Sequence, residues 1–300
     1  MPMQWWAKPY CVFLLFCFSF SRAEAQDSTH RLRNLIIGES VVYSGGMVAL
    51  YGIWYKDHPR TSMHGFNDWP EWNQMDKAGH FTTGFLVSDF SYRAYRYAGL
   101  SEGKSILIGS AQSLFFLTSL EVLDGFSEGW GFSWSDMGFN VLGCSAFALQ
   151  QWKWNEINIR PKFSAWLTDY AAYRPALLGN DFSSRILKDY NGQTYWLSIS
   201  SALFFSEESS FPKWLCLSFG YGADGMTGGR ENPLVNEAGQ VIPMFERERQ
   251  FYLSLDIDLD KIPTNRKWVR RTLSLLNWIK MPFPTLEVTK KGMTFHPFYF

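Results

Sequence analysis

The stretch from Asp76 to Gly143 carries three short polar patterns inside otherwise apolar runs: Asp76-Lys77-x-x-His80, Glu121-x-x-Asp124 and Asp136-x-x-x-Asn140-x-x-Gly143. Residues four apart share a helix face, so Asp76 goes with His80 and Asp136 with Asn140. One imidazole among several carboxylates is a donor set for a divalent ion, and oxygen ligands suit Mg²⁺, Mn²⁺ or Ca²⁺ better than Zn²⁺. If an ion binds, His80, Glu121, Asp124 and Asp136 are the expected ligands. The same groups could do acid–base chemistry, with His80 tuned by a neighbouring acid. No nucleophile stands convincingly beside His80, since Thr82, Thr83 and Ser119 read as ordinary helix residues. The structural alternative is a buried network in which Lys77 and His80 pair the acids and fix three helices together. The expectation is a polar cluster of Asp76, Lys77, His80, Glu121, Asp124, Asp136 and Asn140. No cofactor is predicted and a divalent metal is left open.

Three helices must position these groups. One is expected from about Gln74 to Tyr97 and a second from about Glu102 to Asp124. The third carries Asp136 and Asn140, with Ser133 or Ser135 as its N-cap. The second has a long uncharged run just below the usual spanning length of roughly twenty residues. Upstream, the apolar run Asn34 to Tyr55 is broken by Glu39 and Gly45-Gly46, which reads as an interfacial or bundle helix. A loop over 56–73 follows, with Trp54, Trp69 and Trp72 as candidate interface anchors.

After Gln151 the texture changes. Residues 152–193 look like connecting structure with short helices. From Thr194 the chain alternates with period two, one face apolar and the other small or polar. Four strands are expected, at 194–205, 213–222, 249–259 and in the last fifteen residues. Such strands match membrane barrels, but a single-chain bacterial barrel needs at least eight. A partial, barrel-like sheet packed on the helices therefore fits better than a pore. Arg266 to Lys280 reads as a basic amphipathic helix that lies on a membrane surface or on the sheet. Gly220-x-Gly222-x-x-Gly225 has the dinucleotide-binding spelling, but turn-forming residues follow where a helix is required. Asp256-x-Asp258-x-Asp260 lacks the glycine and glutamate of a calcium loop and reads as solvated or lumen-facing acids.

Lys plus Arg equals Asp plus Glu, at 28 each, so no field favours nucleic acid. Aromatic residues make up 18% of the chain, which suits a protein that meets lipid. The N-terminus reads as a cleavable signal peptide over 1–25, with Lys8, an apolar Tyr10 to Phe20 and Ala23-Glu24-Ala25 before the cut. Phe16 before Cys17 argues against a lipoprotein site. Cys144 and Cys216 then remain, and two free buried thiols are preferred over a disulfide.

With these residues in view, the stretch from about Asn34 to Gln151 resembles the YfiM-like family of predicted periplasmic or outer-membrane lipoproteins. The likeness lies in Asp76-Lys77-x-x-His80-Phe81, Glu121-x-x-Asp124-Gly125 and Phe132-Ser133-x-x-Asp136 followed by Asn140 and Gly143. The same skeleton is similar to the VanZ-like family, which carries such helices in membrane bundles. The resemblance implies an envelope location and no established activity.

The resulting expectation is an α+β, membrane-associated protein. Its parts are a helical domain (26–151), a connecting segment (152–193) and an antiparallel β-rich region (194–300). The lipid bilayer of the outer membrane is its expected partner, with protein partners unknown. Its role is expected to be structural or ligand-binding; the alternative is an envelope hydrolase or transferase acting on lipid or cell-wall material.

Overall fold

The computed structural model describes residues 28–56, 58–205 and 208–300. The expected signal peptide lies outside the described residues. Helix α1 (Ser28–Leu50) runs on through a π-helical turn (Tyr51–Tyr55). After a loop come α2 (Met75–Tyr97), α3 (Glu102–Gly125) and α4 (Trp134–Trp154). Their limits follow from local chemistry: Gly99 takes a left-handed φ of 97° after α2, and Ser133 caps α4 by accepting the Asp136 N–H at 3.1 Å.

α2 is the central helix and packs against both α3 and α4. Small residues let the backbones meet. A Cβ on Gly143 would sit 2.1 Å from the Phe81 carbonyl oxygen of α2, and one on Gly109 of α3 would sit 2.7 Å from the Tyr92 nitrogen. Buried hydroxyls join the seams: Ser88 and Ser113 both donate to the Gly84 carbonyl, at 2.7 and 2.9 Å. α1 is looser, tied by Tyr95 to Glu39 (2.7 Å) and by Tyr43 to Ser119 (2.9 Å).

The sheet has six antiparallel strands in sequence order: β1 (Ile159–Ala165), β2 (Gln193–Ser200), β3 (Leu215–Asp224), β4 (Glu248–Ile257), β5 (Phe283–Thr289) and β6 (Gly292–Tyr299). β1 and β6 do not pair, so the sheet is open. Six strands replace the four expected. β1 lies in the segment read as a connector, where Pro161 and the mixed composition hid it; Pro161 is tolerated because β1 is an edge strand. The C-terminal strand proves to be a β5–β6 hairpin that turns at Gly292 (φ 131°). Short helices α5 (Pro175–Leu178) and α6 (Phe182–Lys188) link β1 to β2.

The sheet's sidedness is inverted relative to a soluble domain. Leu197, Leu217, Phe219, Leu253 and Leu255 lie in register across β2, β3 and β4, and all are exposed. Ser198, Ser218 and Ser254 alternate with them and are buried, as are Lys162 and Asp256. α2 covers this polar face, where Arg160 of β1 donates to Asp89 of α2 at 2.7 Å. Asp256, Asp258 and Asp260, read as solvated or lumen-facing, are drawn into that interior. Asp256 pairs with Lys162 at 2.9 Å, Asp258 accepts from Asn277 at 2.7 Å, and Asp260 pairs with Arg93 at 2.7 Å. The glycine-rich stretch also has a structural account. Gly220 and Gly222 lie in β3, Gly220 leaves room for the Trp196 ring, and Gly225 opens a loop rather than a helix. α7 (Lys267–Leu276) is the amphipathic helix, with Trp268, Arg270 and Arg271 exposed. Cys144 and Cys216 are free and buried.

Candidate functional site

The polar groups of the three patterns converge where α2, α3 and α4 meet, together with Asp68 from the loop before α2. The path into α2 is constrained: Trp72, Asn73 and Gln74 take left-handed φ values of 48°, 51° and 63°. Such a run costs roughly 1–2 kcal/mol per residue, so outside contacts must hold it. The Trp72 N–H donates to the Gly229 carbonyl at 2.7 Å, and Tyr221 of β3 donates to the Asn73 carbonyl. The sheet and its loops thus aim Asp76, Lys77 and His80.

Lys77 is only 1% exposed and sits among three carboxylates: Asp136 at 2.6 Å, Asp68 at 2.7 Å and Asp76 at 2.9 Å. Asp68 also accepts from Ser133 (2.7 Å) and Ser135 (2.8 Å). Burial alone would raise the Asp68 carboxyl, but its hydrogen bonds to Asp136, Lys77 and Ser133 outweigh that and hold it well below the usual carboxylate range. Ser135 further lines an open 510 Å³ cleft with Gly65, Phe66, Asn67, Trp69 and Trp134. That cleft brings the outside close to Asp68.

His80 lies beside this ion-pair group. Its Nδ1 is 2.9 Å from Asn140 Oδ1, and since that oxygen only accepts, Nδ1 carries the proton. The Nε2 lone pair is left facing Glu121 Oε1 and Asp136 Oδ1, each at 3.7 Å. Glu121 Oε2 accepts the Ser133 N–H at 3.3 Å, whereas the buried Oε1 has no hydrogen-bond partner. The Asn140 Nδ2 is likewise buried and unpartnered. Among the described residues no hydroxyl or thiol hydrogen-bonds to His80.

Two sets of donor atoms, each within 4.8 Å of one another, share Asp136: His80/Glu121/Asp136 and Asp68/Asp76/Asp136. The Lys77 ammonium is the cation of the second. Asp124, grouped with the ligands at the sequence level, stands apart: it accepts the Tyr55 hydroxyl at 2.7 Å. The structure brings Asp76, Lys77, His80, Glu121, Asp136 and Asn140 together. Asp68 and Tyr55 were missed. Asp68 sits in an irregular loop where no helical spacing marks it, and Tyr55 ends an aromatic run that reads as interface.

Helix separation controls this geometry, because Gly143 of α4 touches α2 at Phe81, the residue next to His80. Gly143→Ala is expected to destabilise the protein by about 1–3 kcal/mol through overpacking. Gly138→Ala on the open face of α4, where a Cβ meets nothing within 4 Å, is expected to be neutral or slightly stabilising. Denaturant midpoints in one detergent check the pair.

Comparison with curated proteins and with solved structures returned no match. Residues 66–151 do match the model of a family described as predicted periplasmic lipoprotein (DUF2279). The matched stretch contains Asp68, Lys77, His80, Glu121, Asp136 and Asn140 but neither Tyr55 nor the sheet. By that match the chain is similar to exported proteins of the cell envelope that have no assigned activity.

Proposed function

We propose that this is an integral envelope protein, embedded in the outer-membrane bilayer around a polar interior, with a structural or ligand-binding rather than enzymatic role. The observation that carries it is the inverted sheet: leucines and phenylalanines outside, serines and ion pairs inside. Soluble monomers rarely expose contiguous apolar patches beyond a few hundred Å², whereas an apolar outside and polar inside is the pattern of membrane strands. The helices agree. Among the described residues two are long and apolar enough to cross a bilayer, Ser28–Tyr55 and Glu102–Gly125. On α4, exposed Trp134 and Trp152 bracket exposed Val141, Leu142 and Leu149. At 1.5 Å per residue the two tryptophans stand about 27 Å apart, close to the roughly 30 Å hydrocarbon thickness, where aromatic belts form. The finer likeness to YfiM-like proteins, with the VanZ-like skeleton, agrees with this location. Among the described residues no hydroxyl or thiol hydrogen-bonds to His80, so the proposal assigns it no nucleophilic side chain.

Fractionation tests the reading. The protein is expected to float with outer-membrane vesicles, resist urea or carbonate extraction and leave only with detergent. A mature protein that stays soluble and monomeric without detergent would sink it. Phe219→Arg adds a magnitude: on a lipid-facing strand it is expected to cost about 2–4 kcal/mol in bilayer folding assays. An exposed position in water would register within about 0.5 kcal/mol.

A further inference from the structure

We infer that His80 Nε2, Glu121 Oε1 and Asp136 Oδ1 form a site for one small divalent transition-metal ion, Zn²⁺ or Mn²⁺. Several independent observations meet there. Glu121 is 1% exposed, and its Oε1, free of any hydrogen bond, is aimed at His80 Nε2 from 3.7 Å. Asp136 Oδ1, which also accepts from the Lys77 ammonium at 2.6 Å and would bridge it to the ion, lies at the same 3.7 Å from Nε2. That separation is too long for a direct hydrogen bond. It suits two ligands that each sit about 2.0–2.2 Å from a shared ion. Ca²⁺, with longer bonds and six to eight oxygens, fits poorly. The imidazole in the ligand set favours Zn²⁺ over Mg²⁺, and the two carboxylates suit Mn²⁺, which was among the ions expected from the sequence.

The surroundings match a metal-binding histidine. A ligating imidazole usually donates its other N–H to a fixed acceptor, which sets its tautomer and direction. Asn140 Oδ1 provides that acceptor at 2.9 Å, which makes Asn140 a positioning residue. Glu121 is held by the Ser133 N–H through its other oxygen. Charge points the same way. Asp68, Asp76, Glu121 and Asp136 share this interior with one lysine, and Lys77 is already engaged by Asp68, Asp76 and Asp136. Buried carboxylates left over must be neutralised by protons or by a further cation. The His80 side chain keeps 22% exposure, whereas Glu121 and Asp136 are buried.

The inference stands apart from the bilayer reading, since a protein found soluble could still bind the ion. The test uses mature full-length protein, stripped with a chelator in detergent and titrated separately with Zn²⁺, Mn²⁺, Mg²⁺ and Ca²⁺. Binding is followed by calorimetry and by the unfolding midpoint. Saturation by Zn²⁺ or Mn²⁺ at one equivalent, with a raised midpoint, is expected. Glu121→Gln, which keeps the side-chain shape, and His80→Ala are each expected to weaken binding at least tenfold, while Asp124→Asn retains it. Asn140→Ala is expected to lose about 10–100-fold; Asn140→Asp, which keeps the acceptor, is expected to recover most of that loss. No saturable binding in the stripped wild-type chain would overturn the site, as would undiminished binding by Glu121→Gln or a response to Mg²⁺ and Ca²⁺ alone.

Discussion

Lys77→Met is expected to remove about 3–5 kcal/mol or more of stability, enough to prevent recovery of folded protein if the reserve is small. The lysine lies within 2.9 Å of Asp68, Asp76 and Asp136 and is almost wholly buried. Methionine fills the same space, so the loss reports the stranded carboxylates rather than a cavity. A second change, Asp68→Asn in the Lys77→Met background, removes the carboxylate held most firmly ionised and is expected to restore part of the loss. Recovery in the double mutant measures the coupling directly. Chemical denaturation in one detergent, at a pH where free carboxyls are ionised, provides the midpoints. A loss below about 1 kcal/mol would mean that water or protons already serve these acids, and that Lys77 is not their counter-ion.

Asp256→Ala is expected to be comparably severe, about 3–5 kcal/mol. Lys162 and Asp256 are both 0% exposed and pair at 2.9 Å on the covered face of the sheet. Asp256 also accepts from Ser198 at 2.6 Å and from the Met281 N–H at 3.0 Å. Without it, Lys162 retains the Ile257 carbonyl at 2.6 Å as its partner, which cannot neutralise a buried ammonium. Replacing both, as Lys162→Met with Asp256→Leu, is expected to recover most of the stability, since an apolar pair of similar volume can match or exceed a buried ion pair. The same measurement separates two interiors. A packed polar core gives the large loss; a water-filled lumen would hydrate Lys162 and leave Asp256→Ala within about 0.5 kcal/mol of wild type.

Much of the helical part was legible in advance, because its signals are local. Asp76-x-x-x-His80 and Asp136-x-x-x-Asn140 share helix faces by spacing alone, and Ser133 marks the start of α4 through the N-cap bond it makes. Gly143 could be read as a small residue that lets helices approach, but not that the carbonyl it meets belongs to Phe81. The strands were legible from alternation wherever a face was uniform, as in Leu215 to Asp224. β1 escaped because a short edge strand carrying Pro161, Lys162 and Ser164 has no alternation to show.

What the sequence determined by itself was the long helices, the alternating strands β2, β3 and β4, and the pairs within each: helical spacing, caps and period-two strands arise from backbone geometry that neighbouring residues specify. What only the tertiary structure decided was which of these groups meet and which way the sheet faces. Asp68 reaches Lys77 because a left-handed run at Trp72 to Gln74 is pinned by Tyr221 and Gly229, well over a hundred residues later. Asp124 turns to Tyr55 rather than to His80 because the π-helical turn after α1 places a hydroxyl there. The alternation of Leu217 with Ser218 specifies two unlike faces but not which is buried. α2 decides that by laying Asp89 and Arg93 against Arg160 and Asp260, and so draws the polar face inward. Pairing over such separations depends on the packing of whole elements, which no local window of residues contains.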